Sequence, residues 1–122
     1  MIENEEKEIL KPEALENCQL SVNQIEPENI KIKEQAFQDA EFWFAKGFEM
    51  QKKEGVEVAL DYYLQGVRAN QTHFPCVFNL ACVYSNMDKH FNAKKWFKLA
   101  IKINPRSIDA YYGSALSSFK LR

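Results

Sequence analysis

Large and small side chains recur in this chain at one fixed interval. Trp43 and Val77 stand 34 residues apart, as do Gly47 and Ala81, Ala59 and Ala93, Tyr63 and Phe97, Gly66 and Ala100, and Asn70 and Asn104. The same step carries Val77 to Tyr111 and Ala81 to Ala115. A period of this length constrains the fold more than composition does. Each period is one supersecondary unit, too small to bury its own apolar face, so stability must come from stacking units.

Within the period the apolar spacing is helical. From Ile32 onward, Ala36, Phe37, Ala40, Phe44, Ala45 and Phe48 recur at three and four. Gly55 marks a turn, and Val56, Ala59, Leu60, Tyr63, Leu64 and Val67 make a second stripe. Pro75 suits the first turn of a third helix, which would bury Val77, Leu80, Ala81 and Tyr84. Asn86, Met87 and Asp88 turn the chain into a fourth helix carrying Ala93, Trp96, Phe97, Ala100, Ile101 and Ile103. Pro105 stops it, because the residue before a proline is pushed out of the helical region. A fifth helix is predicted from Ser107, a residue suited to N-capping, to Lys120.

Counted from Phe74, the places 4, 7, 8, 11, 20, 24, 27 and 32 hold Val77, Leu80, Ala81, Tyr84, Ala93, Phe97, Ala100 and Pro105. This resembles the tetratricopeptide repeat family, whose unit is a helix–turn–helix with an aromatic, Leu, a small residue, Tyr, Ala, an aromatic, Ala and Pro at those places. Only Val77 departs. The unit counted from Ala40 reads Trp43, Lys46, Gly47, Met50, Ala59, Tyr63, Gly66 and Gln71, with Lys46 and Gln71 departing clearly. A partial third unit offers Tyr111 and Ala115, with Ser114 and Ser118 in place of Leu and Tyr. The resemblance implies an all-α solenoid of about two and a half hairpins wound into a right-handed superhelix, with repeats at 40–73, 74–107 and 108–122. Small residues at places 8, 20 and 27 let two helices approach closely, and large ones at 4, 11 and 24 fill the space beside the crossing.

The N-terminal part differs in kind. Its first 34 residues carry nine acids against four bases, and all 16 aromatic residues lie between Phe37 and Phe119. With little apolar surface to offset chain entropy, residues 1–30 read as an acidic disordered tail, and residues 31–122 as the repeat domain. Residues 7–15 offer at most a short amphipathic helix. The tail either solubilises or folds back on the basic half.

Several function classes find no support. A net charge of −1 does not suit a dedicated nucleic-acid binder. The acidic start lacks the apolar stretch of a secretory signal. The uncharged run between Arg68 and Asp88 contains Asn70, Gln71, Thr72, Pro75, Asn79, Ser85 and Asn86, which would lack partners in lipid, so no membrane insertion is expected. Cys18, Cys76 and Cys82, an odd count without a secretion signal, suit thiols in a reducing, cytoplasmic setting. His73, Cys76 and Cys82 do not form a metal set, because the two cysteines are six apart on a helix and no fourth ligand is near. Four scattered glycines cannot build a phosphate loop. No catalytic residue, metal or cofactor is implied.

In the family the first helix of each hairpin lines a concave groove. Carried over, its deepest places hold Phe44, Phe48, Phe78, Cys82, Tyr112 and Leu116, and Asn79 stands where the family often contacts a bound backbone. An aromatic stripe of this kind would take an extended or helical peptide with apolar anchors, or else be covered by the chain itself. The clamp that some members close on acidic chaperone tails is not reproduced: its places hold Phe44, Phe48, Asn79, Asp109 and Gly113, of which only Asn79 fits. Lys94, Lys98 and Lys102 step by four along one ridge, read as a solvated outer face near a helix C-terminus. The expected function is non-catalytic binding of a protein or peptide in the groove, with no nucleic acid. The alternatives are the regulatory or targeting region of a longer, multidomain and even enzymatic protein, and a basic-ridge binder of nucleic acid or acidic membrane. Tyr111, Leu116 and Phe119 need cover, from continuation of the array or from self-association through the last helix.

Overall fold

The computed structural model describes residues 27–122, with side chains from Ile30. Five helices follow in order: α1 Pro27–Glu54, α2 Val56–Ala69, α3 Phe74–Asn86, α4 His90–Ile103 and α5 Ile108–Lys120. Each packs on its neighbour in sequence, so α1–α2 and α3–α4 are hairpins and α5 opens a third unit. Among the described residues there is no strand. Most of the acidic tail, with the segment 7–15 and Cys18, lies outside them.

The helix boundaries follow from backbone chemistry. Gly55 separates α1 from α2 at φ 106°, a region open to glycine and strained for other residues. Asp88, at φ 60°, turns the chain between α3 and α4, a conformation that aspartate tolerates better than most residues. His73 and Ser107 are N-caps: each side chain accepts a hydrogen bond from the backbone N–H three residues on, Cys76 N and Ala110 N. One boundary differs from the sequence reading. The first helix runs from Pro27 and not from Ile32, so it takes in residues 27–30 of the stretch that composition assigns to the tail. A proline in an opening turn loses no hydrogen bond and carries a helical φ.

The small residues lie where helices cross. Ala59, Ala81, Ala93 and Ala100 have no exposed surface, with Tyr63, Val77, Leu80, Trp96 and Phe97 packed around them. Each large side chain so buried contributes roughly 1.5–3 kcal/mol. The first hairpin closes more tightly still. A Cβ on Gly47 would stand 2.7 Å from Cε1 of Tyr63, so that ring packs directly against the glycine backbone. The Tyr63 hydroxyl donates to Oε1 of Gln51 at 3.0 Å, which satisfies the polar end of a buried ring.

Candidate functional site

Helices α3 and α5, the first helices of successive hairpins, are held apart by α4 packed behind them. Between them lies a pocket of about 250 Å³. Its apolar wall is Phe78 and Cys82 from α3, Tyr112 and Leu116 from α5, and Phe97 rising from α4. Asp109, Ser85 and Asn86 are the polar part of its lining. The volume falls below the roughly 300–1,000 Å³ of small-molecule sites and is on the scale of one or two protein side chains.

Phe78 is fixed on two sides. It stacks on Phe74 at 5.6 Å between centroids with 15° between planes, and it meets Phe97 edge-on at 5.8 Å and 66°. Tyr112, in contrast, is 68% exposed, so its ring is available to a partner. Burial pushes the Cys82 thiol up to about 11, and the Asp109 carboxylate adds to the effect. At neutral pH this sulfur is a protonated, weakly polar wall atom and not a nucleophile.

Four of the seven residues read from the sequence as groove-lining therefore meet at one pocket. The others stand elsewhere. Phe44 and Phe48 form a separate pair on α1, stacked at 6.1 Å and 25°, with the Lys52 ammonium 4.4 Å from the Phe48 ring. Phe44 also packs against Tyr63 and His73, each at 6.1 Å, so half of its role is structural. The Asn79 amide donates to Pro75 O at 2.8 Å, one turn back in its own helix. Phe97, a hairpin-packing residue by its place in the repeat, serves also as the pocket floor. Nothing in its position on a second helix signals that role. Lys98 and Lys102 of the basic ridge are exposed on α4, and Lys94 is half-buried.

A second constellation has no signature in the sequence. His73 is buried, and its Nε2 lies 2.6 Å from Oε1 of Glu41 on α1. Its Nδ1 accepts from Cys76 N at 3.3 Å, so the neutral ring carries its proton on Nε2 and donates to the carboxylate. Phe37 meets the ring edge-on at 5.5 Å. The Cys76 thiol donates to Ala40 O at 3.6 Å, and burial, assisted by Glu41, pushes it up to about 12. Nε2 of His73 and the Cys76 thiol thus hold α1 against α3, while Nδ1 caps α3 itself. Glu41 and His73 stand 32 apart, and no spacing rule links them.

Helical hairpins stacked on a 34-residue period, with small residues at the crossings and an aromatic pocket between first helices, define a helical-repeat protein. Residues 75–107 match the family model of the tetratricopeptide repeat. Protein bimA of Emericella nidulans is 39% identical over 67 residues, a stretch covering 51% of this chain and 8% of that protein. Residues 75–107 thus carry a tetratricopeptide repeat, and the chain spans less than a tenth of the length of that relative. Repeats of this family generally serve protein–protein interaction as non-catalytic modules. No described helix is long and apolar enough to cross a membrane.

Proposed function

We propose that the chain is a non-catalytic, cytoplasmic binding module that seats a peptide or a partner helix in the hollow between α3 and α5. The observation that carries this reading is the pocket itself. Phe78 is pinned by Phe74 and Phe97, while Tyr112 and Leu116 face it with their rims open. A pre-positioned aromatic wall opposite an open rim is what an apolar anchor residue needs, since little order must be created on binding. A ligand longer than one anchor would reach Asn79 on α3 and then the separate Phe44–Phe48 pair on α1. The free thiols of Cys76 and Cys82 suit the reducing compartment of such a module.

The test uses exposed residues, so that folding stays intact. Tyr112→Ala and Leu116→Ser should each lose the partner recovered from native cells with the unmodified chain, and leave helicity by circular dichroism unchanged. Phe91→Ala, at an exposed aromatic on α4 away from the pocket, should retain it. Retention by the Tyr112 and Leu116 variants would end this reading.

A further inference from the structure

The hollow between α3 and α5 is charged on one side only. Asp109 is the single charged side chain of its lining. It is exposed in the first turn of α5, and among the described residues no hydrogen bond or ion pair engages its carboxylate. That carboxylate adds to the burial that raises the Cys82 thiol on α3, so it acts across the mouth and not only along its own helix. Bases are kept away. Arg106, in the turn before α5, and the bases of the α4 ridge lie outside the lining. Lys120 stands eleven residues beyond Asp109, about 16 Å along the helix.

The aromatic beside Asp109 is also uncovered. Three exposed rings carry a cation from the next turn of their own chain. Phe48 has Lys52 at 4.4 Å from its centre, Phe91 has Lys95 at 4.6 Å, and Phe119 has Arg122 at 5.8 Å. Tyr112 is the most exposed aromatic among the described residues, at 68%, and it has Leu116 one turn on in place of a base. Asp109 lies one turn before it, on the same side of α5. An open ring face and an open carboxylate therefore stand together at the rim of an apolar pocket.

We propose that the segment seated in this hollow carries a basic side chain, Arg or Lys, beside its apolar anchor, with the anchor between Phe78 and Leu116 and the cation over Tyr112 against Asp109. The proposal rests on the groove reading and adds the charge of the partner. Ring face and carboxylate both attract a cation, and the aliphatic stem of Arg or Lys packs on the same apolar rim. The pocket has room for an anchor and such a stem. An acidic segment would set its carboxylate against Asp109, so the arrangement selects between partners by sign.

Panning a library of random peptides on the folded 122-residue chain tests this. Peptides enriched by the unmodified chain and not by Leu116→Ser are the groove ligands. They are expected to hold Arg or Lys within about one helical turn of an apolar residue. Asp109→Asn should weaken them several-fold, most strongly at low salt. Panning on Asp109→Arg should keep the apolar residue and exchange the base for Asp or Glu. Ser107 caps α5 in each of these variants, so helicity by circular dichroism should be unchanged. Groove ligands without an excess of bases, affinities that Asp109→Asn leaves as they were, or an Asp109→Arg chain that still selects bases overturn the proposal while the groove reading stands. An absence of peptides that depend on Leu116 overturns both.

Discussion

The joint between α2 and α3 and the joint between α4 and α5 are the same turn, built twice. Asn70 Oδ1 accepts from Thr72 N at 3.1 Å, and Asn104 Oδ1 accepts from Arg106 N at 3.2 Å. His73 N donates to Asn70 O, and Ser107 N donates to Asn104 O, both at 3.2 Å. Each joint ends in a side chain that caps the next helix. The difference lies in what braces the turn. The first joint has Gly66 facing Cys76, whose thiol reaches Ala40 on α1 while the capping His73 reaches Glu41. The second joint has Ala100, Ala110 and Ser107 at the places of Gly66, Cys76 and His73. Pro75 holds the place of Glu41, and its side chain has no acceptor to offer Ser107. Repeat geometry thus needs only small side chains and a cap. The buried histidine and thiol are an addition peculiar to the first joint.

The comparison can be broken first with pH, where the effect should be largest. Burial raises Cys76 from about 9 to about 12, Cys82 from about 9 to about 11, and Tyr63 from about 10 to about 12. The unfolded chain therefore releases these protons at lower pH than the folded one. The stability they contribute is complete below about pH 9 and is lost as pH rises towards 12. Urea midpoints followed by circular dichroism should fall steeply across that window. Cys76→Ala should flatten the fall, and Ala110, its counterpart in the second joint, has no proton to release.

The caps come next. His73→Ala removes an N-cap, a buried ring and the hydrogen bond to Glu41, and should cost about 3 kcal/mol. Ser107→Ala removes a cap alone and should cost about 1 kcal/mol. Equal losses in urea titrations would show that the brace to Glu41 contributes nothing. The small–large swap sharpens the same point. A Cβ on Gly66 would collide with the Cys76 thiol, so Gly66→Ala should cost about 1–2 kcal/mol, the strain being partly offset by better helix propensity. Adding Cys76→Ala recreates the Ala100–Ala110 pairing of the second joint and should recover most of that loss. A double-mutant cycle that gives simple additivity would mean the two sites do not share one volume.

The period made the hairpins legible because crossing geometry depends on side-chain size alone. Ala81, Ala93 and Ala100 are where a size rule puts them, and the turns at Gly55, Asn86–Asp88 and Pro105 carry their own chemistry. The Glu41–His73 brace was not legible, because a carboxylate and an imidazole on separate helices obey no period. Nor was the start of α1. Pro27 sits in an acidic, aromatic-free stretch, and composition says nothing of a helix whose opening turn needs only a fixed φ. At the pocket, the choice of Phe78, Cys82, Tyr112 and Leu116 followed from the family's register. The division of the aromatic stripe into that pocket and the separate Phe44–Phe48 pair did not, since it depends on how far apart three first helices stand.

The smallest effect concerns a position where α5 departs from the unit before it. Ser117 stands one period after Val83, which is buried in α3 as an apolar side chain. Ser117 is also fully buried, and its Oγ lacks a hydrogen-bond partner. A buried hydroxyl left unpaired loses its hydration without return, at a cost of about 1 kcal/mol or more. Alanine removes that oxygen, leaves a void no larger than a single atom, and has the better helix propensity. Ser117→Ala should therefore be neutral or stabilise the chain by up to about 1 kcal/mol in urea titrations. Destabilisation would mean that the hydroxyl is satisfied in solution, by a carbonyl of its own helix or by a water, and that α5 is held against α4 by more than the burial of Ala110 and the fit of Gly113 against Phe97.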